Sequence, residues 1–214
     1  MKLVTNGNKG FTLIELMITM VVASIIMTGI YAIYDAQSTA RRNQQIVVDM
    51  MQNLRAGIYY MEREIRVAGF DPMQTANAGF TVAGASDVQF TLDDDQDGSI
   101  DTAAGANERI RYTLAGTTLQ RQNGNGAFDD LANNIDALQF YYFNEAGTQT
   151  ANLNAIATVQ IAMVARGSSG ESGYTNDRNY NVTLIDGTTA QVLATPNDNI
   201  RREMLTTAIR CRNL

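Results

Sequence analysis

Histidine and tryptophan are absent from this 214-residue chain, cysteine occurs once, at Cys211, and proline twice, at Pro72 and Pro196. Without histidine the commonest general base and the usual zinc ligands are gone, and a lone cysteine excludes an intrachain disulfide. Positive charge is scarce as well. Twenty-two acidic residues face sixteen basic ones, for a net charge of −6, so broad attraction to nucleic acid is not expected. No glycine-rich phosphate loop is present, since Gly124-Asn125-Gly126 reads as a turn. The adjacent pair Asp129-Asp130 carries no catalytic geometry. No catalytic residue is assigned, and the chain is not expected to be an enzyme. Cys211 reads as a semi-buried small hydrophobe in the last strand.

What is present is unevenly distributed. The only lysines, Lys2 and Lys9, lie in the first ten residues, and every other basic residue is arginine. Directly after that basic segment comes an apolar run, Phe11 to Tyr34, whose single charge is Glu15. As an α-helix, 24 residues reach roughly 36 Å, enough to cross a hydrocarbon core of about 30 Å. The run is too long for a secretory signal core, and no small-residue cleavage pattern follows Tyr34. Lysines before the span keep its start in the cytoplasm and send the remainder outward. Glu15 sits one turn into the span, where an ionisable group is costly and demands a partner.

Past Tyr34 the helical signal continues as an apolar stripe. Val47, Met51, Leu54, Ile58, Met61, Ile65 and Ala68 recur at spacings of four and three among polar positions, which predicts an amphipathic helix packed on the chain's own domain. Gly69 is a C-cap signal and Pro72 a stop. From Gly69 the composition turns to Gly, Asn, Thr and Asp with short β-prone runs. Strands are predicted at Asp87–Leu92, Arg109–Leu114, Thr118–Gln122, Ala137–Phe143, Thr158–Arg166, Tyr180–Ile185 and Leu205–Arg212. Turn signals stand at Ala115-Gly116 and Asp186-Gly187. A long helix leading into an antiparallel sheet is an α+β arrangement. Tyr141-Tyr142-Phe143 reads as a strand face.

The run Asp93-Asp94-Asp95-Gln96-Asp97-Gly98-Ser99-Ile100-Asp101 places carboxylates at positions 1, 3, 5 and 9 of an EF-hand-type loop, with glycine at 6. Asp93, Asp95, Asp97, the Ser99 carbonyl and Asp101 are the candidate ligands of a structural Ca²⁺. Ala104 stands where such a loop carries its closing glutamate, and Glu108 is the candidate substitute. So many carboxylates in nine residues repel one another unless a cation is present.

The junction Lys9-Gly10-Phe11-Thr12-Leu13-Ile14-Glu15 resembles the prepilin signature of type IV pilins and type II secretion pseudopilins. The stretches NNIDALQFYYFNEAG, TVQIAMVARG and IRREMLTTAIRCRNL look like the PilW group of minor pilins, and more weakly like the J-type minor pseudopilins. The resemblance implies cleavage by a prepilin peptidase between Gly10 and Phe11, methylation of the new N-terminus, and an assembly role for Glu15 opposite a neighbour's α-amino group. It also implies a pilin-like fold: leader 1–10, transmembrane and assembly half 11–34, amphipathic half 35–68, and a periplasmic β-rich domain 69–214. The implied partners are major and minor pilins and an inner-membrane assembly platform. The expected function is that of a minor pilin in an initiation or tip complex, with a type II secretion pseudopilin and a pilus-borne adhesin as alternatives. The missing disulfide pair departs from many major pilins and points to a minor subunit.

Overall fold

The structure, a computed structural model, describes residues 10–214; residues 1–9 of the expected leader lie outside the described residues. Helix α1 runs from Leu13 to Ile65. Ten strands follow: β1 (Phe80–Ala83), β2 (Asp87–Thr91), β3 (Arg109–Ala115), β4 (Thr118–Asn123), β5 (Phe128–Ala132), β6 (Ile135–Phe143), β7 (Thr158–Arg166), β8 (Tyr180–Thr183), β9 (Thr189–Leu193) and β10 (Arg202–Arg210). They form an antiparallel sheet β1-β2-β3-β4-β5, an antiparallel sheet β10-β7-β6 and a β8-β9 hairpin. The fold is α+β, one long helix packed on antiparallel sheets, as the sequence predicts. The chain divides into two compact units, Met1–Gln45 and Ile46–Leu214.

In the first unit the helix is long and apolar enough to cross a membrane, and its apolar side chains are exposed. Three hydroxyls of the apolar run are consumed within the helix. Thr19, Ser24 and Thr28 each donate to a carbonyl three or four residues back, at 2.9, 2.6 and 2.9 Å. Such bonds spare these three hydroxyls from facing hydrocarbon unpaired. Tyr31 and Tyr34 close the run and are exposed, where amphipathic rings suit a headgroup boundary.

In the second unit the helix buries Ile46, Met50, Leu54, Gly57, Ile58, Met61 and Ile65. The stripe is therefore corrected at its start: Ile46 and Met50 are buried, and Val47 and Met51 are only partly buried against the core. The reason is Gly57. A Cβ there would lie 2.8 Å from Leu119 Cδ2 and 3.0 Å from Met163 Cε, so the bare backbone lets both sheets press on the side that Ile46, Met50 and Gly57 share. The helix ends at Ile65, three residues before the expected Ala68, and Ala68 is buried in the turn that follows. Gly69 takes φ +77°, and its N–H donates to the Thr91 carbonyl at 3.0 Å.

The main core joins the helix to both larger sheets through Phe90, Tyr112, Leu119, Ile135, Leu138, Ile161 and Met163. The other face of β6-β7 packs against β8-β9 through Phe143, Ala162, Val164, Val182 and Val192. Covered on both faces, β7 is a nearly continuous apolar run rather than an alternating one. Three strands were not predicted, β1, β5 and β9. The last strand begins at Arg202, three residues before the expected start, and stops at Arg210, so Cys211 lies just beyond it. Cys211 is buried, and desolvation pushes its thiol up to about 12.

Candidate functional site

Two places hold the residues singled out above. At the first, the Glu15 N–H donates to Thr12 Oγ1 at 3.3 Å and the Leu16 N–H to the Thr12 carbonyl at 3.2 Å. Thr12 is thus the N-cap of α1 and Glu15 the third helical residue, the T-x-x-E order of a capping box. This cap was legible in the sequence and was missed. Glu15 also lies at the positive end of the helix dipole. Among the described residues its carboxylate makes no hydrogen bond or ion pair. Gly10 and Phe11 precede the helix and are exposed, Phe11 at 82%.

The second place is the loop between β2 and β3. Asp93 is fully buried and Glu108 is 2% exposed. The loop is wound around these two carboxylates. Asp93 accepts the N–H groups of Asp97 at 3.1 Å and Gly98 at 3.0 Å. Glu108 accepts those of Asp94 at 3.1 Å, Asp95 at 3.3 Å and Asp101 at 2.6 Å. Left-handed conformations at Gln96 and Gly98, φ 62° and 82°, turn the chain between them. The winding is fastened outside as well. Phe70 accepts from the Asp93 N–H at 2.7 Å, and Gly98 accepts from Thr75 Oγ1 at 3.1 Å. Gly124 presses on the far arm so closely that a Cβ there would sit 1.8 Å from the Ala103 oxygen.

Oxygens of Asp93, Asp95 and Glu108 lie within 4.8 Å of one another. That fits a calcium shell, whose bonds of about 2.3–2.6 Å put opposed oxygens about 5 Å apart. The other candidates are differently engaged. Asp97 accepts the Ser99 N–H at 2.8 Å and its hydroxyl at 2.7 Å, and Asp101 accepts the Ala103 N–H at 2.8 Å. The Ser99 hydroxyl bond leads in holding Asp97 below the usual carboxylate range. At Asp95 the Asp97 N–H pulls downward, but desolvation and the charges of Asp97, Glu108 and Asp93 outweigh it and raise the pKa.

One further constellation was not read from sequence. Glu64, in the last turn of α1, accepts the Tyr112 hydroxyl at 2.5 Å and Arg121 Nε and Nη2 at 3.0 and 2.9 Å. Tyr112 and Arg121 face each other across β3 and β4, so one carboxylate ties the helix to a cross-strand pair. Burial first, then the Glu64 charge, raises the Tyr112 pKa far above its ordinary value. Arg63, Glu64 and Arg121 line an adjacent cleft of about 380 Å³. The network is a structural tie.

The methylation motif, the family match and the fold of a solved structure together identify a type IV prepilin-like protein. Residues 5–31 match the prokaryotic N-terminal methylation motif, and residues 43–185 match prepilin peptidase-dependent protein B. The chain belongs to the prepilin peptidase-dependent protein B family. A search of curated proteins finds no match. Among solved structures it is similar to a type IV-like pilin from Thermus thermophilus, at 13% identity and a TM-score of 0.51, over 77% of this chain and 97% of that one. That likeness is one of fold. Family and fold together describe a structural, pilin-like protein.

Proposed function

We propose that this chain is a minor pilin, cut by a prepilin peptidase between Gly10 and Phe11, methylated on Phe11, and held in the inner membrane by the apolar half of α1. From there it enters a type IV pilus through that helix, in the complex that starts assembly or occupies the tip. The observation that carries the reading is the contrast inside the first unit. Thr19, Ser24 and Thr28 satisfy their hydroxyls within the helix, while the Glu15 carboxylate has no partner among the described residues. A neighbour's cationic N-terminus supplies the missing charge and relieves the desolvation cost of both groups. The test is Glu15→Ala in cells with an active prepilin peptidase. The expected result is a chain of mature mass, still membrane-held, that no longer co-purifies with sheared filaments. Normal incorporation of the variant would sink the reading. Recovery of the wild type with a secretion pseudopilus, and not with pili, would move it to type II secretion.

A calcium role for the β2–β3 loop is a second part of the proposal, favoured by the grouping of Asp93, Asp95 and Glu108. Those side chains would hold the ion, and backbone carbonyls or water would complete its six to eight oxygens. The expected outcome is a melting temperature that rises with millimolar Ca²⁺ and does not rise in Asp95→Ala. Identical melting of the wild type in calcium and in chelator would remove calcium from the account.

A further inference from the structure

Hydrogen-bond directions along β10 show that one strand edge of the domain is left open. The Arg201 carbonyl accepts from Gly167 and the Cys211 N–H donates to Ala157, so odd-numbered residues of this strand turn their backbone groups toward β7. By the alternation of an antiparallel ladder, even-numbered residues turn theirs the other way. The two ends of that outward row are closed: the Arg202 carbonyl accepts the Tyr180 hydroxyl at 3.4 Å, and the Arg212 N–H donates to the Arg66 carbonyl at 3.1 Å. Between them, the N–H and C=O groups of Met204, Thr206 and Ala208 have no backbone partner among the described residues.

The other edges of the two larger sheets are protected. β1 is four residues long with an irregular register, and β5 carries a register shift together with Asp129 and Asp130. The outer side of β6 is occupied, since Ile135 and Phe140 donate to Thr117 and Ala85, and Tyr142 accepts from Thr150. Short length, bulges, charges and covering loops are the ordinary defences against edge pairing. β10 has none of them at its centre. Its nine-residue register is unbroken, it contains no proline, and Thr206 and Ala208 are small, neutral and exposed.

At the C-terminal end of this edge lies a cleft of about 530 Å³ whose charged lining is Arg66, Arg210, Arg212 and Glu145. Arg66 pairs with Glu62 and Arg210 with Glu145, whereas Arg212 makes no ion pair among the described residues. With those two pairs neutralised, the exposed Arg212 guanidinium is the cation left over in this cleft, and it favours a carboxylate on the partner.

We propose that the β10 edge accepts an extended segment of a different prepilin-type subunit, which adds as a further strand and places an acidic side chain in the arginine cleft. Backbone bonds to Met204, Thr206 and Ala208 supply adhesion that tolerates sequence, and the cleft supplies polarity and register. The inference rests on the pilin reading above, because the apolar helix is what gathers such subunits together.

The test uses the full chain in cells that assemble its filament, with a benzoylphenylalanine photo-crosslinker at Thr206 and, separately, at Ile25 in the apolar helix. The expected result at Thr206 is a crosslink that peptide mass spectrometry assigns to an extended segment of another prepilin-type subunit. Ala208→Pro removes an outward N–H without touching the β7 ladder, so it should cut that product about tenfold while the Ile25 crosslink persists. Should Ala208→Pro fail to accumulate, Arg212→Glu, a change at an exposed side chain, should cut it about fivefold. Crosslinking at Ile25 with no Thr206 product, with a Thr206 product to a second copy of this chain, or with one indifferent to these substitutions would overturn the inference and leave the filament reading intact. Loss of both crosslinks in the wild type would overturn the filament reading, and this inference with it.

Discussion

One helix, two solvents: residues 13–34 of α1 are apolar on every side and unburied, whereas residues 46–65 show one apolar face that is buried in the chain's own core. The same backbone geometry thus serves two kinds of stability. The second half is held by packing that the chain carries with it. In the first half Leu13, Ile18, Val21, Ile25 and Ile30 are exposed, and such apolar side chains need lipid or neighbouring helices. Function follows from the difference, because a segment satisfied by its own domain has nothing left with which to assemble.

The comparison breaks most visibly if a truncation in the first half costs as much as one in the second. Leu54 is fully buried at the centre of the packed half, and Leu54→Ala should destabilise the protein by about 2–5 kcal/mol, as cavity-forming substitutions do. Leu16, half exposed in the apolar run, should change domain stability by less than about 0.5 kcal/mol when cut to alanine. Thermal unfolding of both variants in the same detergent, followed through tyrosine absorbance, checks the pair. Equal losses would mean that the two halves are one folding unit.

A finer cut tests how the packed half is tied down. Glu64→Leu leaves Arg121 without its partner and the fully buried Tyr112 hydroxyl without its acceptor. A loss of about 2–4 kcal/mol is expected, because a partly buried charge and a buried hydroxyl are stranded together. Tyr112→Phe removes only the neutral donor and should cost about 1 kcal/mol. The double variant Glu64→Leu with Arg121→Met should recover part of the first loss, and a double-mutant cycle reads the coupling. Strict additivity would show that the tie contributes shape alone.

How much of this was legible in sequence divides along the same line. An apolar run of 24 residues with one charge was legible as a span by its length, and the T-x-x-E cap at its start was there to be read. The buried face of the second half was legible to within one residue. It drifted because Gly57, invisible to a hydrophobicity pattern, decides which side the sheets approach. β5 escaped since Phe128-Asp129-Asp130 looks like a turn until β4 pairs with it. The start of β10 escaped for a different reason: Arg202 reads as surface, yet it is buried between Asp136 and Asp198. At the β2–β3 loop the glycine turn and the acidic positions were legible. That Glu108 would be buried and bind three loop N–H groups was not, because it depends on the β3 register.

The smallest expected effect lies in that ion network, and it concerns pH. The Arg202 hydrogen bonds hold the Asp198 carboxyl below the usual carboxylate range, with the Ile200 N–H and the Arg166 charge adding to them. A carboxyl whose folded pKa is depressed takes up protons more readily in the unfolded chain, so its stabilising contribution is full above the unfolded value of about 3.9. That contribution fades as pH falls through the folded value. Melting temperature should therefore decline more steeply below about pH 4 in the wild type than in Asp198→Asn, which has no such carboxyl to titrate. Above pH 5 the variant should melt lower by a few degrees, and the two curves should converge in acid. Parallel curves for the wild type and Asp198→Asn across the acid range would mean that Asp136 alone holds Arg202, and that the depressed carboxyl contributes nothing to the fold.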